Sequence, residues 1–95
     1  MKATDGLRAG FGQALRERRQ AAAISQEELA DRADLHRTYV SQLERGPKSP
    51  SLAAIEALAG ALGVAAHELV LAAEMASPIV PGEPNFEPRG SLLPE

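Results

Sequence analysis

The chain of 95 residues has no cysteine, no tryptophan and only two histidines. Without cysteine it can form neither a disulfide nor a thiolate metal site, which fits a reducing cytoplasm. His36 and His67 stand at no spacing with acidic residues that suggests a metal site or a nucleophile pair. The glycines form neither a dinucleotide-binding nor a Walker pattern. We therefore expect no enzyme activity, no metal and no cofactor.

Long apolar runs are also missing. No run approaches the roughly 20 residues of a membrane span, and no signal peptide opens the chain. These absences predict a cytoplasmic protein without a membrane partner. The apolar content of 44% with few aromatics indicates one small domain whose core consists of Ala, Leu, Ile and Val.

The net charge of -3 argues against a nucleic-acid-binding protein when it is taken alone. Its distribution is uneven. Residues 1–50 contain nine Lys or Arg against seven Asp or Glu, a balance of +2, whereas residues 51–95 contain one against six, a balance of -5. Any DNA-binding surface is therefore expected in the first half, and its non-specific affinity should be weak because few cations face the phosphates.

Two short helices around a tight turn are predicted in that half. Ser25 followed three residues later by Glu28 forms a Ser-x-x-Glu capping box, which starts a helix near Gln26. The apolar residues that follow recur at helical spacing: Leu29, Ala30 and Ala33. The next residues are too few and too apolar for a long loop, so a sharp turn is expected, with Asp34 in the left-handed conformation.

The next helix should run from Arg37 to Arg45 and end at Gly46, because Gly is the usual C-terminal cap and the Pro after it cannot continue a helix. At 100° per residue, its hydrogen-bonding side chains share one arc: Arg37, Thr38, Ser41, Gln42 and Arg45. The opposite arc is predicted to be buried: His36, Tyr39, Val40 and Leu43. Any solvated helix shows a polar arc, but ordinary exposed faces mix both charges and this one has no carboxylate. Arg and Gln are the side chains that bind guanine and adenine edges in the major groove, which predicts a DNA-reading helix.

Three further helices are expected. The first spans Leu7 to Ala22 and places Arg19 inside an apolar stripe, where it needs a partner. Ser49 before Pro50 predicts the N-terminus of the fourth helix, which ends at Gly63. Its apolar stripe is Leu52, Ile55, Leu58, Ala59 and Leu62.

A weakly capped fifth helix is predicted from Val64 to Met75, apolar almost all round. One small domain can bury only one face of it, so the others predict a homodimer interface: Leu69, Val70, Leu71 and Ala72. The alternative is a C-terminal helix buried in a monomer. Five of the seven prolines lie in residues 78–94, which predicts a domain at residues 1–76 and a flexible or extended tail at residues 77–95. Apolar residues of this tail could dock on the domain or on a protein partner: Ile79, Val80, Phe86, Leu92 and Leu93.

The chain resembles the lambda-repressor-like, Cro and xenobiotic-response-element (XRE) family of prokaryotic and phage regulators. The resemblance covers about residues 8–74 and rests on four motifs in order: Ser25-Gln-x-x-Leu29-Ala30, Tyr39-Val-Ser-Gln-Leu-Glu-Arg-Gly46, Pro50-Ser-Leu and Ala61-Leu-Gly-Val64. It implies a compact five-helix all-α domain in which the third helix enters the major groove and the second lies across the backbone. Asp34 replaces the family's usual turn Gly, and His36 replaces its usual Ser or Thr cap.

The resemblance also implies roles for individual residues. Arg19 and Glu44 match a structural ion pair between helices one and three. The positions that face bases in the family are Arg37, Thr38, Ser41 and Gln42. The positions that contact the DNA backbone are Gln26, Tyr39, Arg45 and Lys48.

Together these features predict a sequence-specific regulator of transcription that binds double-stranded DNA. We expect it to act as a dimer on a palindromic operator, in the manner of a phage repressor, an antitoxin or a restriction-modification controller. About twenty residues after the predicted domain leave no room for a ligand-sensing domain. The alternative is a helix-turn-helix module that binds a protein and not DNA, which the acidic balance favours and the cation-rich arc opposes.

Overall fold

The computed structural model describes residues 2–77, and side chains from residue 6 onward. Five helices make up this part of the chain: α1 (Lys2–Ala21), α2 (Gln26–Ala33), α3 (Arg37–Arg45), α4 (Leu52–Leu62) and α5 (Ala66–Ala76). Residues 2–77 contain no strand, so the predicted all-α fold of five helices is confirmed. The tail predicted at residues 77–95 lies outside the described residues except for Ser77, as do its candidate docking residues.

Helix α1 begins five residues earlier than Leu7, its predicted first residue. The prediction followed the apolar stripe, which starts only at Leu7, whereas the preceding Lys-Ala-Thr-Asp-Gly contains no proline to stop a helix. Two glycines allow this long helix to approach its neighbours. A Cβ on Gly12 would lie 2.5 Å from the carbonyl oxygen of Leu43, and one on Gly10 would overlap the carbonyl oxygen of Ala73. The backbone of α1 therefore packs directly on α3 and α5.

The turn between α2 and α3 follows the sequence prediction closely. Ser25 Oγ accepts a hydrogen bond from the Glu28 backbone N–H at 3.0 Å, while the Glu28 carboxylate pairs with Arg32 at 2.7 Å rather than completing the capping box. Asp34 is left-handed with φ 58°, and the next N–H, of Leu35, donates to the Ala30 carbonyl at 2.8 Å. These bonds satisfy carbonyls that the end of α2 leaves open.

The start of α4 differs from the prediction. Ser51 Oγ accepts from the Ala54 N–H at 3.0 Å, so Ser51 is the N-cap and neither Ser49 nor Pro50 belongs to the helix. A Ser-Pro-Ser sequence offers two hydroxyls as caps, and the second one is used. Leu52 then becomes the first helical residue and is 85% exposed, so its place in the apolar stripe was predicted wrongly.

Helix α5 begins at Ala66, two residues after the predicted Val64. The Val64 N–H donates to the Ala59 carbonyl at 3.0 Å, which makes Val64 part of the C-terminal cap of α4 around left-handed Gly63. Helix α5 has no side-chain cap at Ala65, whose backbone N–H is instead bound by the Glu68 carboxylate at 2.8 Å.

All five helices contribute to the core: α1 packs on α3 and α5, and α2 packs on α3 and α4. Its fully buried large side chains are Leu15, Leu29, Val40, Leu43, Leu58 and Leu69. Within residues 2–77 no single helix is long and apolar enough to cross a membrane; α4 and α5 reach that length and composition only when taken together, across a bend of 101°.

Candidate DNA interface

The face of α3 that points away from the core carries the polar arc. Arg37, Thr38 and Arg45 are exposed, and Ser41 and Gln42 are half-buried. On the core side, Val40 and Leu43 are buried and Tyr39 is half-buried, as predicted. His36 is exposed, which corrects its predicted burial. As the N-cap it precedes the first helical turn and makes no capping hydrogen bond with its side chain.

The one carboxylate of α3, on Glu44, is withdrawn from this face. Its side chain is only 3% exposed and is bound by the Arg19 guanidinium in two places, Nε to Oε2 at 2.6 Å and Nη2 to Oε1 at 3.1 Å. A paired geometry of this kind fixes the orientation of both groups. Because Glu44 is buried and paired, the exposed arc of α3 presents cations and neutral hydrogen-bonding groups but no acid.

Arg19 does more than neutralise Glu44. Its Nη1 donates to the Ile24 carbonyl oxygen at 2.9 Å, which ties down the loop between α1 and α2. The hydrogen bond to Glu44 raises the pKa of Arg19 above its ordinary value, although burial acts in the opposite direction. Because the pKa is raised, the charge of Arg19 and its contribution to the pairing persist as the pH rises through the ordinary arginine pKa and are lost only in strongly alkaline solution.

Gln26 joins Arg19 and Glu44 in one hydrogen-bonded cluster. The sequence had not indicated that Gln26 contacts Glu44. The first residue of α2, it donates from Nε2 to Glu44 Oε1 at 3.0 Å. A primary amide carries two hydrogens, so the second remains available for another acceptor. We call Arg19, Gln26 and Glu44 the polar tie, because it joins α1, α2 and α3. Residues 18 and 25 positions apart form these bonds, and no local pattern reports contacts of that range.

The segment after α3 extends the cationic surface. Lys48 is exposed close behind Arg45, and the Tyr39 hydroxyl accepts a long hydrogen bond of 3.4 Å from the Ser51 N–H at the start of α4. That bond links α3 to the loop that follows it. The Tyr39 hydroxyl keeps its own hydrogen for a further acceptor.

The opposite edge of the surface is acidic. Glu27, Asp31 and Asp34 line an open depression together with His36 and Arg37, at the beginning of α3. Carboxylates repel DNA phosphates, so the charge distribution favours contact from Arg37 along α3 towards Lys48 and disfavours contact with the side of α2 that carries Glu27 and Asp31.

The residues expected at a subunit interface differ in their exposure to solvent. Leu69 is completely buried in the core of its own chain, so it is not available to a second subunit and its assignment was wrong. Val70 and Leu71 are 36% and 54% exposed, and Ala72 is half-buried. Met75 is 79% exposed and had not been singled out.

Comparison with known proteins places this geometry in a family. A family model described as helix-turn-helix matches residues 15–69. Control protein C.BamHI from Bacillus amyloliquefaciens is 46% identical over 68 residues, which cover 70% of this chain and 84% of that protein. The restriction-modification controller C.AhdI from Aeromonas hydrophila has a solved structure with a TM-score of 0.63 and 48% identity, covering 64% of this chain and 92% of C.AhdI. The solved structure of the clp gene regulator ClgR from Corynebacterium glutamicum gives a TM-score of 0.67 at 33% identity, covering 70% of this chain and 71% of the ClgR chain.

The chain belongs to the helix-turn-helix family. Control proteins and gene regulators are its relatives, so the predicted class, a DNA-binding regulator of transcription, is confirmed. The alternative, a module of the same fold that does not bind DNA, is not favoured.

Proposed function

We propose that the protein regulates transcription as a homodimer on a palindromic operator, with α3 of each subunit in the major groove. The observation that carries this proposal is the withdrawal of Glu44 from α3 into the polar tie. It leaves one helical face that is complementary to DNA in charge and in hydrogen bonding.

The side chains at the centre of that face are the candidates for base readout. Arg37 and Gln42 are the candidates for two-point hydrogen bonds to guanine and adenine, and the Thr38 and Ser41 hydroxyls can bind either. All four belong to α3, which the polar tie and Gly12 hold at a fixed distance from α1.

Phosphate contacts flank the base readout. Arg45 and Lys48 supply exposed cations on one side. Tyr39 and Gln26 offer a hydroxyl and an amide whose hydrogen bonds to Ser51 and Glu44 fix their positions. Contacts of this type set the register of the protein on the duplex but carry no sequence information directly.

The exposed Val70 and Leu71 and the half-buried Ala72 of α5 support a symmetric dimer through this helix. A two-fold dimer presents its recognition helices about 34 Å apart, one turn of DNA, and therefore requires a palindromic site. Two relatives carry the words control or controller in their names. Among the predicted types, this favours a restriction-modification controller over a phage repressor or an antitoxin.

Selection of bound sequences from a randomised duplex tests the proposal. We expect an inverted repeat with half-site centres about 10 base pairs apart, or a multiple of that spacing. Binding to non-selected duplex should fall steeply between 50 and 200 mM salt. Enrichment of a single asymmetric site, or of no sequence at all, would contradict the proposed dimeric readout.

A further inference from the structure

An open depression of about 390 Å³ lies on the outer face of α1 and reaches the C-terminal half of α3. Its lining residues are Ala9, Gln13, Arg16, Glu17 and Gln20 of α1 and Glu44 of α3. Of these, Arg16 and Gln20 face the same way, because residues four apart lie side by side on successive turns of a helix. The depression therefore places two exposed polar side chains of α1 next to the polar tie.

The side chains of Arg16 and Gln20 are free hydrogen-bond donors. Neither has a hydrogen bond or an ion pair within the part of the chain that the structure describes. A guanidinium carries five N–H groups and a primary amide carries two. A guanidinium can bind two oxygens of a phosphate at once, and its charge strengthens both bonds. The pair therefore suits a phosphodiester anion.

The two carboxylates of the depression do not cancel this preference. Glu44 is neutralised by Arg19, which binds it in two places. Glu17 accepts a hydrogen bond from Gln13 Nε2 at 3.1 Å. Because Arg19 marks the side of α1 that faces α3, Glu17 at about 160° from Arg19 is turned away from α3, while Arg16 at about 60° is turned towards it. An anion bound beside α3 therefore meets the cation.

The depression adjoins the face of α3 that is proposed to bind DNA. In projection down α3, Glu44 lies about 20° outside Arg37, which forms one edge of the polar arc. Gln26, a predicted contact of the DNA backbone, binds the same carboxylate and has one amide hydrogen left. Arg16 of α1 and Gln26 of α2 thus both lie beside Glu44, on the same flank of α3.

We propose that Arg16, assisted by Gln20, binds a backbone phosphate of the operator, so that α1 takes part in the DNA interface. The inference deepens the proposed function and rests on it, since a duplex with α3 in its major groove carries phosphates past this flank. A contact of this kind fixes the register of the protein on the duplex and carries no sequence information directly. The phosphate is then held by the helix to which Gly12 and the polar tie fasten α3.

The salt dependence of operator binding tests the contact in the full-length chain. Each cation that neutralises a phosphate adds about 0.9 to the magnitude of the slope of log affinity against log salt concentration. Arg16→Ala should therefore lower that magnitude by about 0.9 and weaken binding to the operator and its single-base variants alike, by roughly 5- to 10-fold. Arg16→Lys keeps the charge and should keep the slope. Gln20→Ala should weaken binding about two- to three-fold at an unchanged slope, because a neutral amide displaces no counterion.

Arg18→Ala is the matched control. It removes the same charge from the same helix, about 160° around α1 from Arg16, where Arg18 lines a different depression with Leu71 and Met75. Its slope and its affinity should stay close to those of wild type. Arg45→Ala is the reference for a cation that the proposed function already assigns to the DNA backbone, and it should lower the slope.

Fluorescence anisotropy of the selected operator, titrated at several salt concentrations between about 50 and 200 mM, measures each slope. Circular dichroism establishes that each variant is folded. A lower slope for Arg16→Ala but not for Arg18→Ala supports the contact. A slope for Arg16→Ala equal to that for Arg18→Ala overturns it, and if Arg45→Ala lowers the slope in the same experiment, the proposed function stands. A wild-type chain that selects no operator contradicts the proposed function itself.

Discussion

The contacts that α1 makes with α3 and with α5 differ in kind. Towards α3, α1 offers Gly12 for close backbone approach and Arg19 for a buried ion pair. Towards α5, it offers Gly10 and apolar side chains, and α5 lacks a side-chain cap at its own start. Directional polar bonds therefore fix the helix that reads DNA, whereas non-directional packing holds the helix proposed to meet a second subunit.

The difference follows from what each helix has to do. Hydrogen bonds and ion pairs depend on angle as well as distance, so they fix the rotation of α3 about its axis. That rotation determines which of its side chains face the DNA major groove. A buried ion pair contributes little net stability compared with apolar packing, because both charges lose their hydration. The contribution of the polar tie is accordingly to orientation.

Breaking the polar tie should have the largest effect on stability. Glu44→Ala leaves Arg19 without its carboxylate and should cost about 3 to 5 kcal/mol, because a buried charge remains unpaired. The double variant Arg19→Met with Glu44→Ala should lose less than the sum of the losses of Arg19→Met alone and Glu44→Ala alone. Chemical denaturation of wild type, both single variants and the double variant measures this coupling.

Losses that simply add would show that the two residues act independently, against the geometry of their two hydrogen bonds. Glu28→Ala is a matched control, since it removes a carboxylate from an exposed pair with Arg32. An exposed pair contributes only about 0 to 1 kcal/mol, so this variant should be close to wild type.

Replacing glycine by alanine at two positions should change the free energy of unfolding in opposite directions. Both changes should be smaller than the loss caused by breaking the polar tie. Gly12→Ala forces the backbone of Leu43 and Glu44 to move and should destabilise by about 1 to 3 kcal/mol. Gly60 in α4 is exposed and a Cβ there meets no atom within 4 Å. Gly60→Ala should therefore stabilise by about 0.5 to 1 kcal/mol through helix propensity.

The thermal or denaturant unfolding midpoints of the two glycine variants, compared with wild type, measure the sign of each change. If both substitutions stabilised the protein, the close approach of α1 to α3 would not be a real constraint. If both destabilised it, Gly60 would have a role that the open space around it does not indicate.

The sequence predicted those features that are encoded locally. Ser25, Asp34 and Gly46 mark the ends of α2 and α3, and these helices have the predicted bounds because each signal acts within one turn of its own residue. Prediction of α4 failed at its start, where two candidate caps, Ser49 and Ser51, are only two residues apart. Leu52 and Leu69 both belong to apolar patterns in the sequence, yet Leu52 is exposed and Leu69 is buried.

That contrast could not be predicted, because it depends on where other helices end. Leu52 lies beyond the edge of the core and Leu69 faces its centre. The hydrogen bond between Gln26 and Glu44 and the backbone contacts at Gly12 likewise join residues distant in sequence. The pairing of Arg19 with Glu44 was expected through family resemblance and not from any local pattern.

We propose that the exposed face of α3 reads bases while the residues on either side of that face contact the DNA backbone. The most direct measurement is the affinity of the Arg37→Ala, Gln42→Ala and Arg45→Ala variants for a set of operators changed one base pair at a time, with Arg18→Ala on α1 as a control for loss of charge. For Arg37 and Gln42, preference should disappear at one or two base pairs each, at a cost of about 1 to 3 kcal/mol for the cognate site, while Arg45→Ala should weaken all operators alike. Uniform weakening by all three α3 variants, with every base preference retained, would contradict base readout by this helix.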